Sequence, residues 1–262
     1  IKDILRFNRI ALRDRDNGTM NGRTIGQYLK ENGFSNRFRN DYLIPMAAAI
    51  WSTPKVKMLD FPASAFVNFF ENHRLLEISP PIWQTVSGGS RNYHDKMLSE
   101  LTDIRLGEAV KSIHRAANGK VLIASQKGRE TFDHIIASHS DQALAMLADA
   151  DKDEKVILSA IGYKPNRVVL HRDASFMPKR KRAWAAWNYL RDSAKGDESD
   201  ICLTYWMNRL QNIDANYPLF VTLNPTREPD RETIFGEWSF SHPQFDSNAM
   251  AAQSALHSIQ GT

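Results

Sequence analysis

From residue 161 to residue 240 the chain repeats one pattern: short runs of aromatic and β-branched residues cut apart by Pro, Gly, Asn and Asp. The runs are Val168-Val169-Leu170, Trp184 to Leu190, Ile201 to Met207, Leu219 to Leu223 and Thr233 to Trp238. Such residues fit a pleated, half-buried surface, and runs this short suit strands better than helices. A lone strand leaves its backbone N–H and C=O groups unpaired. The series is therefore satisfied only as a sheet, of about five strands.

A sheet needs an apolar cover, and the first 80 residues supply helices. Ile4, Leu5, Phe7, Ile10 and Ala11 recur near the helical period. Thr24 begins a second segment and Gly33 is placed to end it. A third runs from Phe38 to Trp51, where Pro45 predicts a kink or a break. A fourth runs from Ala63 to Asn72, with Asp60 as its N-cap and Pro62 in its first turn.

The pattern changes at Ser79-Pro80-Pro81. Gly88-Gly89 then opens a helix from Ser90 to Thr102, with Tyr93, Met97, Leu98 and Leu101 on one side. Ile104 to Leu106 and Ala109 to Arg115 read as strands, and Asn118-Gly119 signals a hairpin into Val121 to Ser125. Lys127-Gly128 turns the chain again. Phe132 to Ala137 reads as a buried strand, followed by a helix from Asp141 to Leu147. Asp246 to Ile259 is an Ala-rich helix. Helices with two sheets make the class α+β or α/β.

The totals agree with a soluble globular protein. Of 262 residues, 42% are hydrophobic and 24% charged, enough to form a core without staples. The one cysteine, Cys202, excludes an intrachain disulfide and suits a reducing, cytoplasmic setting. No run of 18 apolar residues spans a membrane. Ile1-Lys2-Asp3-Ile4 has no apolar signal-peptide core and no initiator Met, and reads as the start of a fragment. The net charge of +4 is concentrated in Lys179-Arg180-Lys181-Arg182, between two strand candidates. A nucleic-acid binder carries a broader basic face, so the cluster reads as a solvated loop. The competing view makes it a dock for an acidic or membrane surface.

Local motifs give no catalytic residue. His171-Arg172-Asp173 looks like a kinase catalytic loop, but Pro178 stands where that loop needs a metal-binding Asn. His134 and His139 have no Cys or carboxylate partners at metal-ligand spacing. There is no Gly-x-Ser-x-Gly and no complete Gly-x-Gly-x-x-Gly.

Order and spacing say more. Gly88-Gly89 precedes a helix, then Leu106-Gly107-Glu108-Ala109-Val110-Lys111-Ser112-Ile113, a hairpin, and Phe132-Asp133-His134-Ile135-Ile136-Ala137. Tyr163-x-x-Asn166, Val169-Leu170-His171-x-Asp173, Met177-Pro178, Trp184-Ala-Ala-Trp187-Asn188-Tyr189, Thr204 to Gln211 and His242-Pro243 follow in order. The chain resembles the middle section of the flavin-containing amine oxidase superfamily, specifically a bacterial subgroup of NAD/FAD-binding proteins, over nearly its whole length.

The resemblance implies an FAD-dependent oxidoreductase acting on a small organic substrate. It puts Gly88, Gly89, Val110 and Ala137 at the cofactor, with the backbone of Val110 against the adenine ring, and Asn166, His171 and Trp187 on the substrate side. It implies a substrate-binding domain from residues 1–83 and 156–241, built on a mixed sheet with helices. Residues 84–155 and 242–262 would form part of a Rossmann-like FAD domain. The family's opening glycine-rich turn, which holds the pyrophosphate, and its closing Gly-rich segment have no counterpart here, so the resemblance implies an interior piece that carries no FAD alone. The neighbourhood where many amine-oxidising relatives place a Lys near the flavin reads Pro165-Asn166-Arg167-Val168, with no Lys except Lys164. Trp184, Trp187, Tyr189, Tyr205 and Trp206 suit an apolar pocket and equally an ordinary packed sheet.

Overall fold

The structure is a computed structural model that describes residues 1–51, 53–79, 82, 84–190 and 202–261. Pro80, Pro81 and Ile201, expected to mark a break and a strand start, lie outside the described residues. The helices are α1 Lys2–Asp16, α2 Ile25–Glu31, α3 Asn36–Phe38, α4 Ile44–Trp51, α5 Lys55–Met58, α6 Ala63–Asn72, α7 Arg91–Leu98, α8 Ser140–Met146, α9 Lys152–Ser159, α10 Met207–Gln211 and α11 Ser247–Ala255. The strands are β1 Val110–Arg115, β2 Val121–Ser125, β3 Arg129–Phe132, β4 Tyr163–His171, β5 Trp187–Leu190, β6 Cys202–Trp206, β7 Phe220–Leu223 and β8 Ile234–Pro243. Two compact units result. One comprises Ile1–Gly89 and Lys164–His242, the other Ser90–Tyr163 and Pro243–Thr262.

In the first unit, α2 starts at a reciprocal cap. Gln27 N donates to Thr24 Oγ1 at 3.2 Å and Thr24 N to Gln27 Oε1 at 2.9 Å. Glycine at position 26 lets the backbone close on its neighbour: a Cβ there would lie 2.9 Å from the carbonyl oxygen of Leu59. Phe7, Tyr28, Phe34 and Phe38 pack ring to ring, and Trp51, Phe61, Phe66, Phe69 and Phe70 form a second cluster. Tyr28 Oη donates to Asp14 Oδ2 at 2.9 Å inside this core, and its own burial, then Asp14, push the phenol's pKa up. Between α3 and α4 the helix widens into a π turn, Arg39–Leu43, directly before Pro45. Pro45 offers no N–H to the carbonyl of Asp41 and its ring crowds that group, so the extra residue absorbs the misfit. Asp60 does not cap α6. Pro62 occupies that position, and Ala63 N donates to Arg23 O at 2.9 Å instead.

The sheet of this unit has the order β5-β6-β7-β4-β8. β5 with β6, β6 with β7 and β4 with β7 pair antiparallel. Val169, Cys202, Leu203, Phe220 and Leu223 are buried in it, and α4 lies against β5. The β7 pairing of β4 begins at Val168, so on that side the missing N–H of Pro165 breaks no ladder bond. Trp184 to Ala186, expected in β5, are not strand. Trp184 Nε1 donates to Pro178 O at 2.7 Å and Ala185 N to Asn188 Oδ1 at 3.0 Å, which holds the segment as a turn. β6 stops at Trp206 because Met207 N turns to Leu219 O and starts α10.

In the second unit, β1, β2 and β3 form an antiparallel meander turned at Asn118-Gly119, where Gly119 has φ +76°. Ile113, Ala143, Ala150, Leu158, Ala249 and Ala252 supply its buried side chains. Three expectations fail here. Ile104 to Leu106 form no strand. The helix expected from Ser90 to Thr102 ends at Leu98, and Tyr93, Met97 and Leu101 face solvent. Phe132 to Ala137 is neither a strand beyond Phe132 nor buried. Ile136 is 98% exposed, and no described strand pairs with residues 133–137. No helix among the described residues is long and apolar enough to cross a membrane.

Candidate functional site

The meander frames a cavity of about 320 Å³ in the second unit. Val110 lies beside it at the head of β1, with Ile123 of β2 and Phe132 of β3 as further apolar lining. Register brings these together. Val110 pairs with Ser125 across a bulge, Ile123 with Glu130 and Val121 with Phe132.

The polar lining is already paired. Arg105 donates to Asp103 at 2.7 Å and to Glu130 at 2.6 Å, and both carboxylates push its pKa up. Glu108 accepts from Ser125 Oγ at 2.6 Å and faces Lys127 Nζ at 3.2 Å; these partners hold its carboxyl below the usual range. Three carboxylates, Asp103, Glu108 and Glu130, therefore stand against Arg105 in the lining and Lys127 beside it, an excess of one negative charge. That electrostatic balance admits a neutral ring or a hydroxyl-bearing sugar and disfavours a phosphate. The residues fit the adenosine end of FAD and do not fit its pyrophosphate.

Of the other residues expected at a cofactor, Ala137 lies in the exposed irregular segment after β3. Gly88 and Gly89 close the first segment of the first unit, with φ of +79° and +88°, and Gly89 N donates to Val86 O at 3.0 Å. Sequence reasoning passed over Arg105, Glu108, Ser125, Glu130 and Phe132 as lining residues. Their convergence depends on hairpin register, which is not a local signal.

The residues expected on the substrate side all lie in the five-stranded sheet. Asn166 and His171 are fully buried on β4. Asn166 accepts from Asn224 Nδ2 at 2.7 Å and donates to Lys164 O at 3.2 Å, which fastens the chain leaving β7. His171 Nδ1 accepts from Asp173 N at 3.1 Å, so its proton sits on Nε2 and is donated to Thr222 Oγ1 at 2.7 Å. Thr222 Oγ1 in turn lies 2.8 Å from Thr204 Oγ1. Burial pushes the His171 pKa down, with Asp173 opposing and Arg227 reinforcing. Trp187, on the edge strand β5, is 46% exposed and meets Tyr205 edge to face at 5.3 Å. His134 and His139 join no group of metal-binding side chains among the described residues.

No family model matches the chain, and no curated protein sequence matches it. Solved structures do. A protein assigned as a protoporphyrinogen oxidase, from Exiguobacterium sp. 255-15, is similar over 91% of this chain and 60% of its own, at a TM-score of 0.60 and 13% identity. A CLA-producing fatty acid isomerase from P. acnes is similar over 91% and 59%, at a TM-score of 0.55 and 14% identity. The chain thus spans about three fifths of the structures it matches. At such identities the likeness is one of fold. At that level the α+β class holds.

Proposed function

We propose that this chain is part of an FAD-dependent oxidoreductase, with its second unit receiving the adenine end of the cofactor. The observation that carries the reading is the chemistry of the Val110 cavity: an apolar floor of Val110, Ile123 and Phe132 within a ring of paired carboxylates. Adenine presents a donor and acceptors on one edge, which backbone groups match without a charged side chain. Val110 shields that contact from water, and the exposed backbone at Ala137 offers a second approach. When bound, FAD supplies hydride transfer to or from an organic substrate.

The first unit offers the substrate side. Trp187 presents an exposed aromatic surface suited to an apolar body. Asn166 and His171 serve that side by holding β4 and the chain after β7 in place. A buried Cys202 is compatible with a reducing, cytoplasmic setting.

FAD titration of the full-length flavoprotein tests the proposal. Val110→Ala is expected to weaken FAD only slightly, because the contact is mainly backbone. Val110→Pro removes the N–H and is expected to weaken it by about tenfold. Equal affinity of wild type and a Pro variant shown to be folded by circular dichroism refutes the assignment. The 262-residue chain alone is expected to purify without visible flavin absorbance, since it contains no Gly-x-Gly-x-x-Gly turn to cradle a pyrophosphate. Stoichiometric FAD on that chain contradicts this.

A further inference from the structure

We infer that the first unit carries an anion-binding cavity, lined by Arg182 and Arg209, for a single carboxylate or phosphate borne on an apolar body. The cavity measures about 590 Å³, within the range of small-molecule sites. Arg182 reaches it from the turn Lys181–Ala183 and Arg209 from α10. Gln84 and Thr85 add an amide and a hydroxyl, and Trp184 and Leu210 add apolar wall.

Charge points to the ligand. Arg105 and Arg167 each hold two carboxylates, whereas among the described residues no carboxylate pairs with Arg182 or Arg209. Among the described residues none lines this cavity either. Two like charges on one concave surface repel, and an oxyanion between them converts that repulsion into charge-assisted hydrogen bonds. An ammonium ligand is repelled by the same pair.

The apolar wall is fixed independently of any ligand. Trp184 Nε1 is held by Pro178 O, and its ring meets Trp206 edge to face at 5.2 Å and Phe220 at 5.9 Å. Trp206 N also donates to Ala186 O at 2.8 Å, tying the cavity segment to β6. A rigid indole beside two guanidinium groups that no described carboxylate pairs suits a molecule with an oxyanion at one end and hydrocarbon at the other. This inference stands on the first unit alone. FAD titration of Val110 variants can fail without bearing on it, and the converse also holds.

The test is isothermal titration calorimetry of the 262-residue chain at low salt with octanoate, octyl phosphate and octylammonium. At least one of the two anions is expected to bind, the comparison between them naming the preferred oxyanion, and octylammonium is expected not to bind. Added NaCl lowers the anion's affinity. Arg182→Gln with Arg209→Gln is expected to weaken it by about tenfold or more, with an unchanged melting temperature. If the double variant does not fold, Arg182→Gln and Arg209→Gln are measured singly, and each is expected to bind more weakly than wild type. Four results overturn the inference: no heat from either anion, equal binding of octylammonium, wild-type affinity in the folded variants, or sedimentation with phosphatidylglycerol vesicles without binding of either soluble anion. The last would assign the basic run Lys179 to Arg182 to a membrane surface instead.

Discussion

Thr222→Val isolates the buried relay in the five-stranded sheet. The Thr222 hydroxyl accepts the proton on His171 Nε2 and lies 2.8 Å from Thr204 Oγ1, and all three residues are fully buried. Valine keeps the shape and removes the hydroxyl. His171 is left with a buried N–H and no acceptor, which costs about 1–3 kcal/mol. Thr204 also loses its partner, at about 1 kcal/mol. The added methyl returns up to about 1 kcal/mol of apolar burial. A net loss of about 1–4 kcal/mol follows, a fall of about 2–16 °C in melting temperature for a body of this size. Thr204→Val leaves the His171 bond intact and should cost only about 1 kcal/mol. Urea and thermal denaturation of both variants measure the difference. A Thr222→Val protein within about 0.5 kcal/mol of wild type, or more stable than Thr204→Val, refutes the relay as drawn.

The same histidine gives a pH dependence. Burial lowers its folded pKa, so as the pH falls below about 6.5 the unfolded chain takes up a proton that the folded one refuses. This contribution to stability is complete above about 6.5 and declines toward the lower folded value; urea midpoints across that range should fall less steeply in His171→Gln than in wild type. Gly26→Ala should destabilise by about 1–3 kcal/mol, because its Cβ would meet Leu59 O at 2.9 Å; an unchanged melting temperature would show that the backbone yields there. Replacing Lys179, Arg180, Lys181 and Arg182 together with Ser should change stability by less than about 0.5 kcal/mol, since all four are exposed. A cooperative loss in thermal melts would mean that they are paired internally.

The strands from 163 to 243 were legible because β-branched and aromatic residues cluster where a pleated surface is half-buried. Their ends were less so. Trp184 to Ala186 carry the composition of a strand, but Pro178 and Asn188 capture their polar groups for a turn. Ile135 and Ile136 are apolar, yet apolarity does not supply a neighbouring strand. Helix α9 went unread although Asp151 and Glu154 form a reciprocal cap at its start, a signal open to inspection. Asp60 looked like a cap because of its type, whereas a backbone contact from a distant segment did the work. The Val110 cavity is harder still. Position 110 belongs to a recognisable strand, but its lining depends on which residues of β2 and β3 stand opposite, and a one-residue slip would change them all.

The first unit is assembled from two stretches of chain, Ile1–Gly89 and Lys164–His242. During synthesis its helices leave the ribosome long before the strands they accompany, and residues 90–163 emerge in between. The aromatic clusters around Phe7 and Trp51 can form early from local contacts, whereas β5 to β8 must wait for residue 242 before the sheet is complete. The nascent helical segment then carries uncovered apolar surface for the time needed to translate the intervening residues. That interval is where a chaperone would engage this protein.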